Sequence, residues 1–371
     1  MTRTLREGFT TGTAAAAAAK AAALLLLTGA APDTVDVPLP AGGRLRIPIA
    51  SCQREGPGAR ATVVKDGGDD PDATHGAAIE CLVTLGGLKR GANHPREGTA
   101  VDITGGRGVG LVTRPGLPVP PGEPAINPAP RRQIAEALRE AMASAGFNGA
   151  ASVLVEVPDG EAIARRTLNP RLGITGGISI LGTRGTVRPY SHEAWAATVS
   201  QSLDVARAAG LDEICCSTGG RSERLLMALR PDLPELAFIQ AADHFAHAMA
   251  EAGRKGFTRV TWGVFFGKLV KQAQGLPQTH ARNAPTDLRR LAELCATLGT
   301  SAPSVDAVAR ANTAMHALEL LQTEPALPAI LQELCRLASD HARCFAGTDM
   351  EVRHVLFSMD GRLLARWPSR T

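Results

Sequence analysis

The chain reads as an α+β N-terminal domain followed by an α/β domain with a mainly parallel sheet. Up to about residue 190, β-patterned segments outnumber the helices between them. Beyond it, strand and helix patterns alternate, which calls for a parallel sheet covered by helices. The chain has 371 residues, 44% of them hydrophobic, so two domains form more naturally than one; the boundaries fall at 1–190 and 191–371.

The first element is the stretch GFTTGTAAAAAAKAAALLLL, Gly8 to Leu27. With Arg3 and Arg6 before it and small residues at Gly29, Ala30 and Ala31 after it, it resembles an export signal. Lys20 inside the apolar run and the polar Thr10-Thr11-Gly12-Thr13 ahead of it argue against that. A membrane span needs about 20 apolar residues, and Ala14 to Leu27 is shorter. The run is therefore expected to be a helix of a cytoplasmic protein, N-capped by a threonine, stopped at Gly29, with Pro32 beyond. Its first-turn N–H groups either face an anionic ligand or are capped by their own hydroxyls.

Strands are expected at TVDVPLP, LRIPIASC, ARATVVKDGG, AAIECLVTL and TAVDITGGRGVGLVTRPG, then a helix from Arg131 to about Ala145 with Pro130 in its first turn, then a strand at ASVLVEVP. GGRGVG, Gly105 to Gly110, lacks the dinucleotide spacing and is expected to be a hairpin turn. In the second domain a helix near His192 to Ala209 precedes strand EICCST, and Gly219-Gly220 opens the next helix. Strand LAFIQ, helix DHFAHAMAEAGRKG, strand TRVTWGVFF and helix GKLVKQA follow; the last third is helical from about Ala302 and closes in a strand-like hairpin.

Charge excludes one class of partner. Forty Lys+Arg against 36 Asp+Glu give +4, and one Tyr offers little for base stacking, so nucleic acid is not expected. The seven scattered cysteines show neither CxxC nor Cys/His metal spacing, which points to a reducing compartment and no protein-bound metal.

Four motifs carry chemistry. KDGGDDPDATHG crowds Asp66, Asp69, Asp70, Asp72 and His75 into a turn, where the carboxylates must be balanced by a cation, an arginine or a raised pKa; a helix is expected to start near Thr74. NPRLGITGGISILGTRGTVRP holds Gly173, Gly176, Gly177, Gly182 and Gly185, which either cradle a ligand or make short hairpins. Gly219-Gly220 lies between strand and helix, and Asp243 follows the next strand where a ribose-binding acid is expected; a turn with Asp243 as helix N-cap is the plainer reading. Lys268 and Lys271 stand one turn apart at a helix start, placed to meet an anion or to coat a solvated face.

LREGFTTGTAAAAAAKAA, KDGGDDPDATHGA, GGRGVGLVTRPGLPVPPGEPAINPAPR, LNPRLGITGGISILGTRGTV and GKLVKQAQGLPQTHA, in this order, closely resemble the cobalt-precorrin-5B C1-methyltransferase family of anaerobic cobalamin biosynthesis, over about Leu5 to Asp287. The resemblance implies S-adenosylmethionine-dependent methylation of C1 of a cobalt-bound tetrapyrrole, cobalt entering only with the substrate, on a fold unlike that of the other corrin-ring methyltransferases. It implies an anionic cobalt-tetrapyrrole as partner; charge and segment length already speak against nucleic acid and a membrane, and a homo-oligomer is a partner class that the sequence leaves open. Substrate contacts are then expected at Thr10, Thr11, Gly12, Thr13, Asp72 and Thr74, at Asn127 and Arg131, at Gly176, Gly177, Ser179, Thr183 and Arg184, and at Lys268 and Lys271. Asp69 or Asp70 is expected to accept a proton or to stabilise the sulfonium, His75 to carry a proton or stand as a distant axial neighbour of cobalt, with a packed, hydrogen-bonded histidine as the plainer reading, and Gly219, Gly220 and Asp243 to bind the methyl donor. The chain departs from the family pattern at Ala14, often Cys, at Gly220, commonly Asn, and at the end of GVFFGK. A small-molecule kinase, weakened by the lack of GxxxxGK[ST], and a non-catalytic tetrapyrrole carrier are the alternatives.

Overall fold

The computed structural model describes residues 5–86, 101–280 and 285–368. They fall into two compact units, 1–191 and 192–371.

In the first unit a short strand β1 (Gly8–Phe9) leads into helix α1 (Thr11–Thr28). Thr10 is the N-cap, its hydroxyl accepting from the Thr13 N–H, and Gly29 in the left-handed conformation closes the helix. Strands β2 (Thr34–Pro38) and β3 (Arg44–Pro48) form a separate antiparallel pair. LRIPIASC thus holds two elements, β3 and the start of β4 (Ser51–Glu55), which turns back onto β5 (Gly58–Val64). β6 (Ala78–Gly86) and β7 (Val101–Gly105) follow, and β10 (Ala150–Glu156), introduced below, completes a sheet of order β4-β5-β6-β10-β7 in which the β10–β7 pair alone is parallel.

This sheet explains the alanine run. Ala59, Ala61 and Val63 of β5, Ile79, Cys81 and Val83 of β6, and Val153 and Val155 of β10 point into one core that also holds α1. Ala14 to Ala19 are fully buried; by length and composition α1 is also the one described helix apolar enough to cross a membrane, and its composition reflects core burial. Small side chains let the backbones approach, so that the Cys81 thiol donates to the Ala15 carbonyl at 3.3 Å. Lys20, the charge inside the run, reaches the Asp36 carbonyl at 2.8 Å and Glu140 at 2.6 Å.

GGRGVG is not a hairpin. β8 (Gly108–Val109) and β9 (Leu111–Val112) leave β7 and pair elsewhere. The helix read from Arg131 begins three residues earlier, α2 (Pro128–Ser144), with Asn127 as N-cap and proline in its first turn. After β10, a short α3 (Gly160–Ala164) leads to three two-residue strands: β11 (Ile174–Thr175) pairs with β9, β12 (Gly177–Ile178) with β8, and β13 (Thr186–Val187) with β1. The glycine-rich segment is thereby stitched to three distant parts of the unit. Gly177 has to be glycine, since a Cβ there would lie 2.1 Å from the Gly108 carbonyl oxygen. No helix starts near Thr74; Asp72–Gly76 is a turn that runs straight into β6, because Lys65 and Ala77 pair across the loop and return the chain to the sheet.

The second unit opens with α4 (His192–Ala208), β14 (Glu213–Ser217), α5 (Gly220–Leu229), β15 (Phe238–Gln240), α6 (Phe245–Arg254), β16 (Arg259–Phe265) and α7 (Phe266–Ala273). Helices α8 (Leu288–Thr297), α9 (Ala302–Ala309), α10 (Ala314–Leu320) and α11 (Leu327–Ala346) precede β17 (Glu351–Phe357) and β18 (Leu363–Trp367). The sheet order is β15-β14-β16-β17-β18, parallel but for β18, so the terminal hairpin supplies two strands of the main sheet. Ile214, Cys216 and Trp262 face the core built by α4, α6, α7 and α11, whereas Cys215, Phe238 and Val355 face Leu226 of α5. Helices on both faces make every β14 residue buried, as a central parallel strand requires.

Candidate functional site

A cavity of about 170 Å³ in the first unit is lined by Thr10, Thr11, Lys65, Asp72, Thr74, Thr167, Asn169, Ile178, Ser179, Leu181 and Val187. Five of the expected substrate residues, Thr10, Thr11, Asp72, Thr74 and Ser179, meet there. Lys65, Thr167 and Asn169 were not anticipated.

The start of α1 is built into its surroundings. Gly12 N–H donates to the Leu181 carbonyl at 3.1 Å, Thr10 N–H to the Gly185 carbonyl at 3.0 Å, and Thr13 N–H to the Thr10 hydroxyl at 3.2 Å. The Thr11 hydroxyl accepts from Leu181 N–H at 2.9 Å. The N–H groups of Gly12 and of the N-cap Thr10 thus hold the 181–185 loop, and the Thr10 and Thr11 side chains also line the cavity. Gly182, at φ 135°, passes so near that a Cβ on it would lie 2.4 Å from the Thr10 side chain.

The acidic turn is balanced from within. Arg6 makes a two-pronged ion pair with Asp66, whose carboxyl is held down at about 2 chiefly by that guanidinium. Lys65, only 2% exposed, places its ammonium 2.5 Å from Asp72. Burial alone would raise the Asp72 carboxyl, but Lys65 and the N–H and hydroxyl of Thr74 outweigh it and keep the group below the ordinary carboxylate range. Asp69 accepts from the Arg6 N–H at 2.9 Å and Asp70 from the Tyr190 N–H at 2.8 Å. The His75 Nδ1 accepts from Gly67 N–H at 3.0 Å, on a half-exposed ring. These three stand on the same loop as Asp72 but do not line the cavity.

The other expected contacts are spread more widely. Gly176 precedes and Gly177 begins β12, whose Ile178 lines the cavity, while Thr183 and Arg184 are exposed on the following loop. Asn127 is half-buried at the start of α2. Arg131 donates to the carbonyls of Ile126 and Ile103, both at 2.9 Å, and borders a separate open groove of about 530 Å³ with Arg132 and Arg139. Among the described residues, no group of three His, Cys, Asp or Glu side chains is placed to hold a metal ion.

In the second unit, β14 leads through α5 to β15 on one side, and the chain then returns through α6 to β16 on the other. The carboxyl ends of β14 and β16 therefore flank a topological switch point, where ligands of open α/β sheets bind. Gly219 and Gly220 lie there at the head of α5, with open space around the Gly219 α-carbon. Asp243 is not a helix N-cap, since His244 holds that position; its carboxylate instead takes the Lys268 ammonium and the Thr279 hydroxyl. Lys268 and Lys271 both donate to the Thr279 carbonyl, at 2.9 and 3.1 Å, and Lys271 is buried. The two lysines fasten this segment to α7 rather than coat a solvated face.

Comparison with known proteins places this geometry in a family. Residues 1–189 match the CbiD family model, and residues 278–368 the model for the CbiD C-terminal domain. The cobalt-precorrin-5B C(1)-methyltransferase of Nitratidesulfovibrio vulgaris is 53% identical over 363 residues, covering 96% of this chain and 91% of that one. The protein of the same name from Geobacillus kaustophilus is 44% identical, covering 98% and 95%. A crystal structure described as cobalamin biosynthesis protein (cbiD) from Archaeoglobus fulgidus matches 71% of this chain and 78% of that one at 30% identity, with a TM-score of 0.40. At such identity over nearly its whole length, the chain belongs to the CbiD family.

Proposed function

We propose that the chain methylates C1 of cobalt-precorrin-5B, with S-adenosylmethionine as donor, to give cobalt-precorrin-6A in anaerobic cobalamin biosynthesis in the cytoplasm. The observation that carries this reading is the 53% identity over 91% of a relative named for that methyl transfer.

The second unit offers residues that fit the methyl donor. Gly219 has room at its α-carbon; Thr218 follows β14, and the first turn of α5 carries Ser222 and the buried Glu223, which accepts from the amide of Gln240, the last residue of β15, at 2.6 Å. Gly219, Gly220 and Glu223 would hold it, while Asp243 is committed to Lys268 and would have to release that ammonium to meet a ribose. When bound, S-adenosylmethionine supplies an electrophilic methyl group on a sulfonium. The chain's own task is alignment, a contribution of about 7–11 kcal/mol in well-oriented reactions, and no activated serine or cysteine is needed. Asp69 and Asp70 are the proposed proton acceptors, each oriented by one backbone N–H, and the half-exposed His75 is placed to pass a proton to solvent.

Calorimetry on the full chain tests this. S-adenosylmethionine, or its demethylated product, is titrated with and without a cobalt tetrapyrrole acid. Binding of the donor that tightens with the tetrapyrrole is expected. Tetrapyrrole binding alone would make the chain a carrier, and binding of neither would end the methyltransferase reading.

A further inference from the structure

We propose that Lys65 receives one carboxylate-bearing arm of the tetrapyrrole in the 170 Å³ cavity, with Asp72 as its resting counter-ion. The inference rests on the methyltransferase reading and adds a substrate-positioning residue that it does not contain.

The cavity is smaller than the roughly 300 Å³ at which sites for whole small molecules begin, so it admits an arm and not a macrocycle. Its spare hydrogen-bonding capacity is on the donor side. An ammonium has three N–H groups, and Asp72 is the single acceptor bonded to Lys65 among the described residues. The Asn169 amide spends one N–H on the Gly177 carbonyl, at 3.4 Å, and retains another. Both Asp72 oxygens, by contrast, are occupied, one by Lys65 and the other by Thr74. What such a pocket lacks is a second acceptor, beyond Asp72, for the unused N–H groups of Lys65 and Asn169. The repulsion from Asp72 is countered by the positive end of the 18-residue α1, whose Thr10 and Thr11 form the cavity wall.

Burial explains why a lysine is kept here at all. An ammonium 2% exposed is costly unless it is paired, and one carboxylate already settles its charge. A methionine of similar length would fill the position just after β5 without a buried ammonium, leaving Asp72 to lose its partner. An ion pair that lines a cavity, with donor capacity left on its ammonium, is what distinguishes a binding site from a core contact.

The test uses cobalt uroporphyrin, a tetrapyrrole carrying acetate and propionate arms, as calorimetric probe for the full chain and three variants. Lys65→Met is expected to weaken probe binding by about tenfold to hundredfold, the effect of losing one charged hydrogen bond, with binding of demethylated S-adenosylmethionine unchanged. Lys65→Arg is expected to retain most of the affinity, and Asp72→Asn to bind as tightly as the parent or more tightly. Probe affinity of the folded Lys65→Met protein equal to the parent's overturns the proposal, as does loss in Asp72→Asn as large as in Lys65→Met. Should Lys65→Met not fold, the Asp72→Asn result decides alone. If the parent binds probe and methyl donor while Lys65→Met binds the probe as tightly as the parent, the proposal fails and the methyltransferase reading stands; if the parent binds neither, both fall.

Discussion

The Thr13 hydroxyl donates to the Gly185 carbonyl at 2.8 Å and accepts from the Gln133 amide at 3.0 Å, fully buried. One side chain thus joins the first turn of α1 to the glycine-rich loop and to α2. Thr13→Val keeps the shape and leaves the carbonyl without that partner, so a loss of about 1–3 kcal/mol is expected in denaturant unfolding, with Thr13→Ser recovering most of it. A valine variant as stable as the parent would show that the loop is held by its backbone contacts alone.

Gly182 is the second fixed point of that loop. Its φ of 135° is open to glycine, and a Cβ would collide with Thr10. Gly182→Ala is expected to cost more than the roughly 1–3 kcal/mol of backbone strain, because Thr10 is also the cap of α1 and cannot retreat without uncapping Thr13. The comparison is with Gly176→Ala, where φ is 77° but nothing lies within reach of the Cβ, so strain acts without collision.

These two positions show what the sequence could and could not convey. The parallel sheet of the second unit was legible from strand–helix alternation, since a strand buried on both faces reads as a run such as EICCS. The capped, buried α1 was legible from Thr10, Gly29 and Pro32. The pairing of β8, β9, β12 and β13 was not, because two-residue strands carry no period and their partners are fixed by tertiary contact. The signal for Lys65 was present: Ala59, Ala61 and Val63 face the core, and the same alternation puts residue 65 on that face. An acidic turn beside it drew the reading towards carboxylates instead.

Lys20 and Arg44 both reach Glu140, and together they hold its carboxyl down at about 2. A depressed carboxyl contributes stability that is present above about 4.5 and is lost as pH falls through about 2. The gap in unfolding free energy between parent and Glu140→Gln is therefore expected to be widest above pH 4.5 and to close on acidification. Partial exposure keeps it modest, about 0.5–1 kcal/mol for each pair. A gap that stays constant with pH would mean that the pairing is not electrostatic.

His354 has the opposite chemistry and the same direction of effect. It is fully buried in the second unit, its Nδ1 is 2.9 Å from the Ser339 hydroxyl, its Nε2 is 3.2 Å from Gln272, and its ring is stacked on Trp262. Burial pushes the imidazole down to about 3. The native state therefore keeps it neutral while the unfolded chain takes up a proton near 6.5, so stability falls as pH drops from about 6.5 towards 3, by at most about 1.4 kcal/mol per pH unit from this one group. His354→Phe keeps a ring against Trp262 and removes the titration, at the cost of the Ser339 and Gln272 contacts, about 1–3 kcal/mol at neutral pH. Unfolding measured from pH 7 to pH 4 should find the variant weaker at the upper end and the difference narrowing steadily below it. A difference that does not move with pH would mean that His354 is protonated alike in the folded and unfolded chains.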